Sequence, residues 1–234
     1  KMNPAFIRKE YDDFIDETNL QKKIGSVYMD KKRLNAIKSA IKNKKNVAIL
    51  DDGFQDFSIK KDLSIICFNE KQWIGNGFTI PSGPLREKLS ALKRAEIVVI
   101  TGHKNFSIEK NIFYENKNIK IFYAKYKPQN IHEFKNNKVI AFAGIGNPEN
   151  FFELLKENNV DIVEKIKFPD HHKYSHQELK NLFDKIEGNN KILLTTEKDY
   201  LRIDEYSRKD ISFLKITTEI ENRNEFIKEI KKII

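Results

Sequence analysis

Apolar positions along this chain switch repeatedly between strand-sized runs and helical spacings. The stretch Arg33–Lys42 puts Leu34, Ile37 and Ile41 three and four residues apart, a helical period. It leads into the apolar run Val47–Leu50, which predicts a strand. Further strands are predicted over Leu63–Phe68 and Ile97–Thr101, with a helical segment, Arg86–Lys93, before the last. Between Asn105 and Asn137 the texture changes. Short extended pieces, Ile112–Tyr114 and Ile119–Tyr126, sit among Asn and Lys with Pro128 as punctuation, and the segment reads as a connection between domains. A second alternation follows. Strand Val139–Ala143 runs into Gly144-Ile145-Gly146-Asn147-Pro148, where Asn147 is a candidate N-cap and Pro148 the first residue of a helix over Glu149–Asn158. Next come strand Val160–Phe168, a helix from the Ser175 cap through Ile186 with Glu178 completing a capping box, strand Ile192–Thr195 and a polar helix Glu221–Ile233. Strands alternating with helices predict an α/β fold with a mostly parallel sheet. The expected division is a first domain over 1–110, a β linker over 111–137 and a second α/β domain over 138–234.

Composition narrows the functional classes. At 234 residues the chain is long enough for one large or two small cores. No run approaches the roughly 20 apolar residues of a membrane span. The net charge of +9 raises nucleic acid as a partner, but only seven of the 43 basic residues are arginine, and the lysines are scattered rather than clustered with aromatics. Nucleic acid is therefore disfavoured, while attraction to an anionic lipid surface stays compatible with the charge. The single cysteine, Cys67, excludes an internal disulfide and, inside a predicted strand, is expected to pack in the core. No signal peptide is visible, and the first residue is Lys1 rather than Met, as expected of a chain that begins partway into a longer protein.

Four motifs carry chemistry. Asp51-Asp52-Gly53-Phe54-Gln55 follows the apolar run directly, an arrangement that delivers acids to a magnesium-nucleotide at a sheet's C-terminal edge; the competing reading is a turn with solvated carboxylates. In Gly75–Glu87 three glycines and two prolines fix an irregular loop. There Arg86 could grip a phosphate bidentately or pair with Glu87 at a helix start, two readings of equal weight. Asp170-His171-His172 offers a histidine suited to proton transfer, or a surface loop; neighbouring histidines do not easily ligate one zinc. Gly144-Ile145-Gly146 lacks the third glycine of a dinucleotide loop and is a weak signal. His103, His132 and His176 read as surface residues.

Five pieces occur together in one order: Leu50–Gln55, Gly75–Glu87, Phe142–Pro148, Phe168–His172 and Thr196–Asp199. With them the chain resembles the tetraacyldisaccharide 4′-kinase (lipid A 4′-kinase) family over roughly Asp16 to Asp199. Ile15–Leu20 is similar to the family's Gly-Asp-Glu-Pro element with glycine and proline replaced, and Asp30–Arg33 to its Asp-Arg segment. The resemblance implies a P-loop-kinase-like α/β/α domain, incomplete at its N-terminus, and a second smaller α/β/α domain joined by a β-stranded linker, with the active site in the cleft between them. It implies transfer of the γ-phosphate of ATP, with Mg²⁺, to the 4′-hydroxyl of a tetraacyl glucosamine disaccharide 1-phosphate, the lipid A precursor. The setting would be the cytoplasmic face of a Gram-negative inner membrane, where the protein would sit peripherally on the anionic surface. Asp16 would accept the hydroxyl proton with His171 as its partner. Asp51 and Asp52 would serve Mg-ATP, Glu17 would help at the metal, and Gln55, Asn76, Arg86 and Glu87 would contact substrate or nucleotide. Two departures stand out: Asp56 occupies the place of a family histidine, and no Gly-x-x-x-x-Gly-Lys-[Ser/Thr] loop occurs in the chain. The expectation is a truncated kinase or, alternatively, an inactive paralogue that binds lipid or nucleotide without turnover.

Overall fold

The computed structural model describes residues 2–10, 15–186 and 190–233, without the side chains of Ile15 and Asp16. In chain order the elements are β1 (Pro4–Lys9), α1 (Ile15–Ile24), β2 (Val27–Asp30), α2 (Arg33–Lys42), β3 (Val47–Leu50), β4 (Ile65–Asn69), β5 (Ile97–Thr101), α3 (Phe106–Glu115), β6 (Lys120–Pro128), β7 (Lys138–Ala143), α4 (Pro148–Glu157), β8 (Asp161–Lys167), α5 (His176–Asp184), β9 (Lys191–Thr196), α6 (Glu197–Arg202), β10 (Ile211–Leu214), β11 (Ile216–Ile220) and α7 (Arg223–Lys231). They form two compact units, Lys1–Gln55 with Pro128–Lys215, and Asp56–Lys127 with Ile216–Ile234. The contact-defined units therefore interleave along the chain, unlike the contiguous blocks 1–110, 111–137 and 138–234.

The first unit holds two parallel sheets. In one, β1 lies between β2 and β3, with Ala5 and Ile7 of β1 buried against Ala36 and Ala40 of α2. Small residues on α2 let helix and strand approach closely. The other has the order β10-β9-β7-β8. Its central strand β7 is buried from Val139 to Ala143 and divides its side chains between two cores. One gathers Phe151, Phe152 and Leu155 of α4; the other gathers Leu179 and Leu182 of α5. A central parallel strand covered on both faces must be apolar throughout, which explains its unbroken run. The two sheets are tied together where α1 packs against α6.

The second unit is a sheet of order β11-β6-β5-β4, its core built on Ile97, Val99, Phe122 and Ala124. From the C-terminal segment, Ile220, Phe226 and Ile230 pack onto it.

Several sequence expectations need correction. The three strands expected to share one sheet are split, β3 in one and β4 with β5 in another. Both β3 and β4 are outermost strands: Ile49 is 44% exposed, and Cys67 is exposed rather than core-packed. Ile112–Tyr114 is helical, inside α3. The Asn105 side chain caps this helix by accepting from the Ser107 and Ile108 amides, and Ile108 and Ile112 supply its buried stripe. The extended piece expected over Ile119–Tyr126 is present as β6, and it pairs with β5. The helix expected over Arg86–Lys93 is only a 3₁₀ segment, Leu89–Arg94, because the backbone of Leu85 is already committed to Phe78 and Ile80. Pro148 does open α4, but Asn147 makes no side-chain cap bond there. The Ser175–Glu178 capping box is present with both reciprocal bonds.

Candidate active site

Parallel strands point their C-terminal ends the same way, so the loops that follow them gather at one edge. Asp51 and Asp52 follow β3. Gly144–Asn147 follow β7, Pro169–Tyr174 follow β8, and α6 starts directly from β9. The motifs read from the sequence in the first unit all lie at such edges.

At the end of β3 the chain turns sharply. Asp52 takes a left-handed φ of 51°, which aspartate tolerates better than most residues. Arg33, the first residue of α2, braces this turn by donating Nη2 to the carbonyls of Asp51 (2.8 Å) and Asp52 (3.0 Å). The Asp51 carboxylate is held through Oδ2, which accepts from Gln21 Nε2 at 3.0 Å and lies 3.3 Å from Arg8 Nε. Arg8, on β1, is buried, and its Nη2 also donates to Glu17 Oε2 at 2.8 Å. One guanidinium thus bridges two acids from different elements. Its Nη1 is buried without a hydrogen-bond partner.

Glu17 binds a second cation: Lys198 Nζ donates to its Oε1 at 2.8 Å, linking α1 to α6. Burial pushes the Glu17 carboxyl up, but the hydrogen bonds from Lys198 and Arg8 outweigh it and hold the group below the ordinary glutamate range. Asp16 lies in the first turn of α1, with its side chain outside the described residues. Gln55 is partly buried just beyond the acidic turn.

The histidine loop rests on Asp199, which is fully buried. Its carboxylate accepts from the Gly144 amide (3.1 Å), Tyr174 Oη (2.9 Å), Thr196 Oγ1 (2.7 Å) and Arg202 Nη1 (3.1 Å). A buried charge needs this many donors. Burial and the neighbouring Asp199 charge push the Tyr174 hydroxyl well above its ordinary value, so it stays a donor. A Cβ on Gly144 would sit 3.0 Å from the Pro169 carbonyl, so the two loops meet there without room for a side chain. His171, left-handed at φ 56°, donates its amide to the Gly144 carbonyl at 3.1 Å. His172 is held in structural contacts, stacked on Phe168 and 3.0 Å from Glu178.

Asn76, Arg86 and Glu87 belong to the second unit. Asn76 organises its own loop, donating to the Ser82 carbonyl and accepting from the Phe78 amide. A Cβ on Gly83 would fall 2.2 Å from Asn76 Oδ1, so the loop closes only over glycine. Arg86 is exposed, and Glu87 pairs with Arg94.

Sequence reading named the acids and the histidine and placed Arg33 and Lys198 within family-like segments, but it gave no role to the cations that arrange the site: Arg8, Arg33, Lys198 and Arg202. Arginine scarcity was the available signal, since three of only seven arginines lie here. Among the described residues, no cluster of three or more metal-type side chains is assembled.

A family model described as tetraacyldisaccharide-1-P 4′-kinase matches residues 8–234. The tetraacyldisaccharide 4′-kinase of Pelagibacter ubique is 40% identical over 232 residues, covering 98% of this chain and 74% of that protein. That of Rickettsia bellii is 35% identical, covering 93% and 67%, and that of Parvibaculum lavamentivorans 33%, covering 80% and 55%. The chain therefore spans between about half and three quarters of the length of these relatives. Among solved structures, one described as the "apo" form of LpxK from Aquifex aeolicus in complex with ATP shares the fold, with a TM-score of 0.72 at 24% identity, covering 99% of this chain and 79% of that one. The chain belongs to the tetraacyldisaccharide 4′-kinase family.

Proposed function

We propose that this chain carries the acceptor-activating part of a kinase that moves the γ-phosphate of ATP to the 4′-hydroxyl of a tetraacyl disaccharide 1-phosphate in lipid A synthesis. The observation that carries the reading is the Glu17–Lys198 ion pair. It joins α1, which bears Asp16 and Glu17, to the segment that also holds the histidine loop, so that acids and histidine belong to one compact unit. Asp16 takes the proton as the O4′–H bond breaks. The sugar oxygen bonds to the γ-phosphorus, and the bond from that phosphorus to the ADP oxygen breaks. His171 orients Asp16 or the acceptor.

Mg²⁺ fits the donor chemistry. Carboxylate oxygens suit a hard cation that takes one or two protein acids and completes its shell with phosphate and water. Asp51 Oδ1 carries no protein hydrogen bond among the described residues, whereas Oδ2 is occupied. Asp51 and Asp52 would hold the ion, which would neutralise charge on the nucleotide phosphates. Glu17, with both oxygens on cations, joins only by exchanging one of them. Gln55, Asn76, Arg86 and Glu87 remain the proposed contacts to nucleotide or acceptor, Asn76 through the shape of its loop. The net charge of +9 supports a peripheral seat on an anionic membrane, at the cytoplasmic face. No helix among the described residues is long and apolar enough to cross one.

The test is turnover of ATP and acceptor by the intact native protein. Asp16→Ala and His171→Ala should each lower kcat by roughly 10²–10⁴-fold, the range for acid-base groups. Unchanged turnover in both would overturn the assignment.

A further inference from the structure

We infer that Arg202 is a positioning residue that locks His171 in its Nε2–H tautomer, so that this histidine enters the reaction as a hydrogen-bond donor and never as the resting proton acceptor. The inference rests on the reading that His171 serves the acceptor hydroxyl.

Arg202 closes α6 with its side chain 10% exposed. Its Nη1 donates to the Gly144 carbonyl at 2.6 Å and to Asp199 Oδ1 at 3.1 Å, which fixes the plane of the guanidinium. In that plane Nη2 lies 3.3 Å from His171 Nδ1. A guanidinium has donors and no acceptor, so this contact is a hydrogen bond only when Nδ1 offers a lone pair. The neutral ring then carries its proton at Nε2. The backbone enforces the same arrangement, because one Gly144 carbonyl accepts from both the His171 amide and Arg202. The order of control runs from Asp199, buried and saturated with donors, through Arg202 to the ring. The proton released by the sugar hydroxyl then goes to Asp16, while Nε2–H, 3.9 Å from Asp170 Oδ1, is left as the ring's one donor.

The experiment is two-bond ¹H–¹⁵N correlation spectroscopy of the ¹⁵N-histidine-labelled 234-residue chain, at a pH where the rings are neutral. In the unsubstituted protein His171 should show a single Nε2–H pattern, with fully separated pyrrole-type Nε2 and pyridine-type Nδ1 shifts. In Arg202→Met that separation should shrink toward the averaged values of an unconstrained imidazole, while the His172 signals stay in place as a control for the loop. Arg202→Lys, which keeps a donor, should retain most of the separation. An Nδ1–H or averaged pattern in the unsubstituted chain overturns the proposal even if Arg202→Met does not fold, and so does an unchanged pattern in a folded Arg202→Met. The spectrum reads the ring and not turnover. A locked ring beside undiminished turnover in His171→Ala would therefore sink the catalytic reading and leave the positioning standing.

Discussion

Single arginines do an unusual share of the arranging in this molecule. Arg8 holds two carboxylates from separate elements while leaving its own Nη1 unpartnered, so its net effect is to fix Glu17 and Asp51 rather than to be fully satisfied itself. Replacing it with Met removes two charge-assisted contacts and should cost about 2 kcal/mol, read as a lowered urea midpoint with unchanged slope. An unchanged midpoint would show that solvent compensates the half-exposed acids. Glu17 adds a pH dependence of known sign. Its folded pKa lies below the unfolded value of about 4.3, so its contribution is complete above that value and fades as pH falls through the folded pKa. Arg8→Met should flatten this acid limb, and an identical acid limb would remove Arg8 from its cause. At His171 the donor role separates two amide substitutions. Glutamine can place an N–H near the Nε2 position and asparagine only near Nδ1, so His171→Gln in the intact kinase should keep more turnover than His171→Asn. The reverse order would contradict donation from Nε2.

Among the elements, α5 shows how far local chemistry specifies structure. The Ser175 hydroxyl accepts the Glu178 amide, and the Glu178 carboxylate accepts back from Ser175. Its bonds from the Ser175 amide and hydroxyl, aided by His172, hold the Glu178 pKa down at about 2. Ser175→Ala should destabilise the protein by about 1 kcal/mol in denaturant titration. Because the folded pKa is depressed, the Glu178 contribution persists above the unfolded value and disappears only as pH approaches 2, so a fall in stability confined to alkaline pH would contradict it. Such local signals were legible: the capping box, the Pro148 helix start, the unbroken β7 run and the order of the five motifs are all readable from residues. What stayed hidden was non-local. No spacing reveals that β3 and β4 enter different sheets, that Leu85 spends its backbone on Phe78 and Ile80, or that Arg202 reaches His171 across 31 residues. The α3 helix was hidden differently, since its Asn105 cap and Ile108–Ile112 stripe lie in a Lys- and Asn-rich texture that mimics a loop.

For the whole molecule, the decisive fact is that the chain leaves each unit and returns. The second unit begins at Asp56, is interrupted after Lys127 by 88 residues of the first, Pro128–Lys215, and is completed only by Ile216–Ile234. Its core depends on that return, because Phe226 of α7 meets Phe122 of β6 edge-on at 5.1 Å, beside Ile97 and Val99. The cores on β7 share none of these residues. Truncating Phe226, which packs on this core while partly exposed, to Ala removes an aromatic partner over β5 and β6, a loss of about 2 kcal/mol. The effect should be regional. In hydrogen exchange, amides of Ile97–Thr101 and Lys120–Pro128 should lose protection, while those of Lys138–Ala143 and Lys191–Thr196 keep theirs, as expected of separately cored units that open by local unfolding. Equal loss in both sets would mean that the two units unfold as one cooperative body. The division by contact would then be a division of geometry and not of stability.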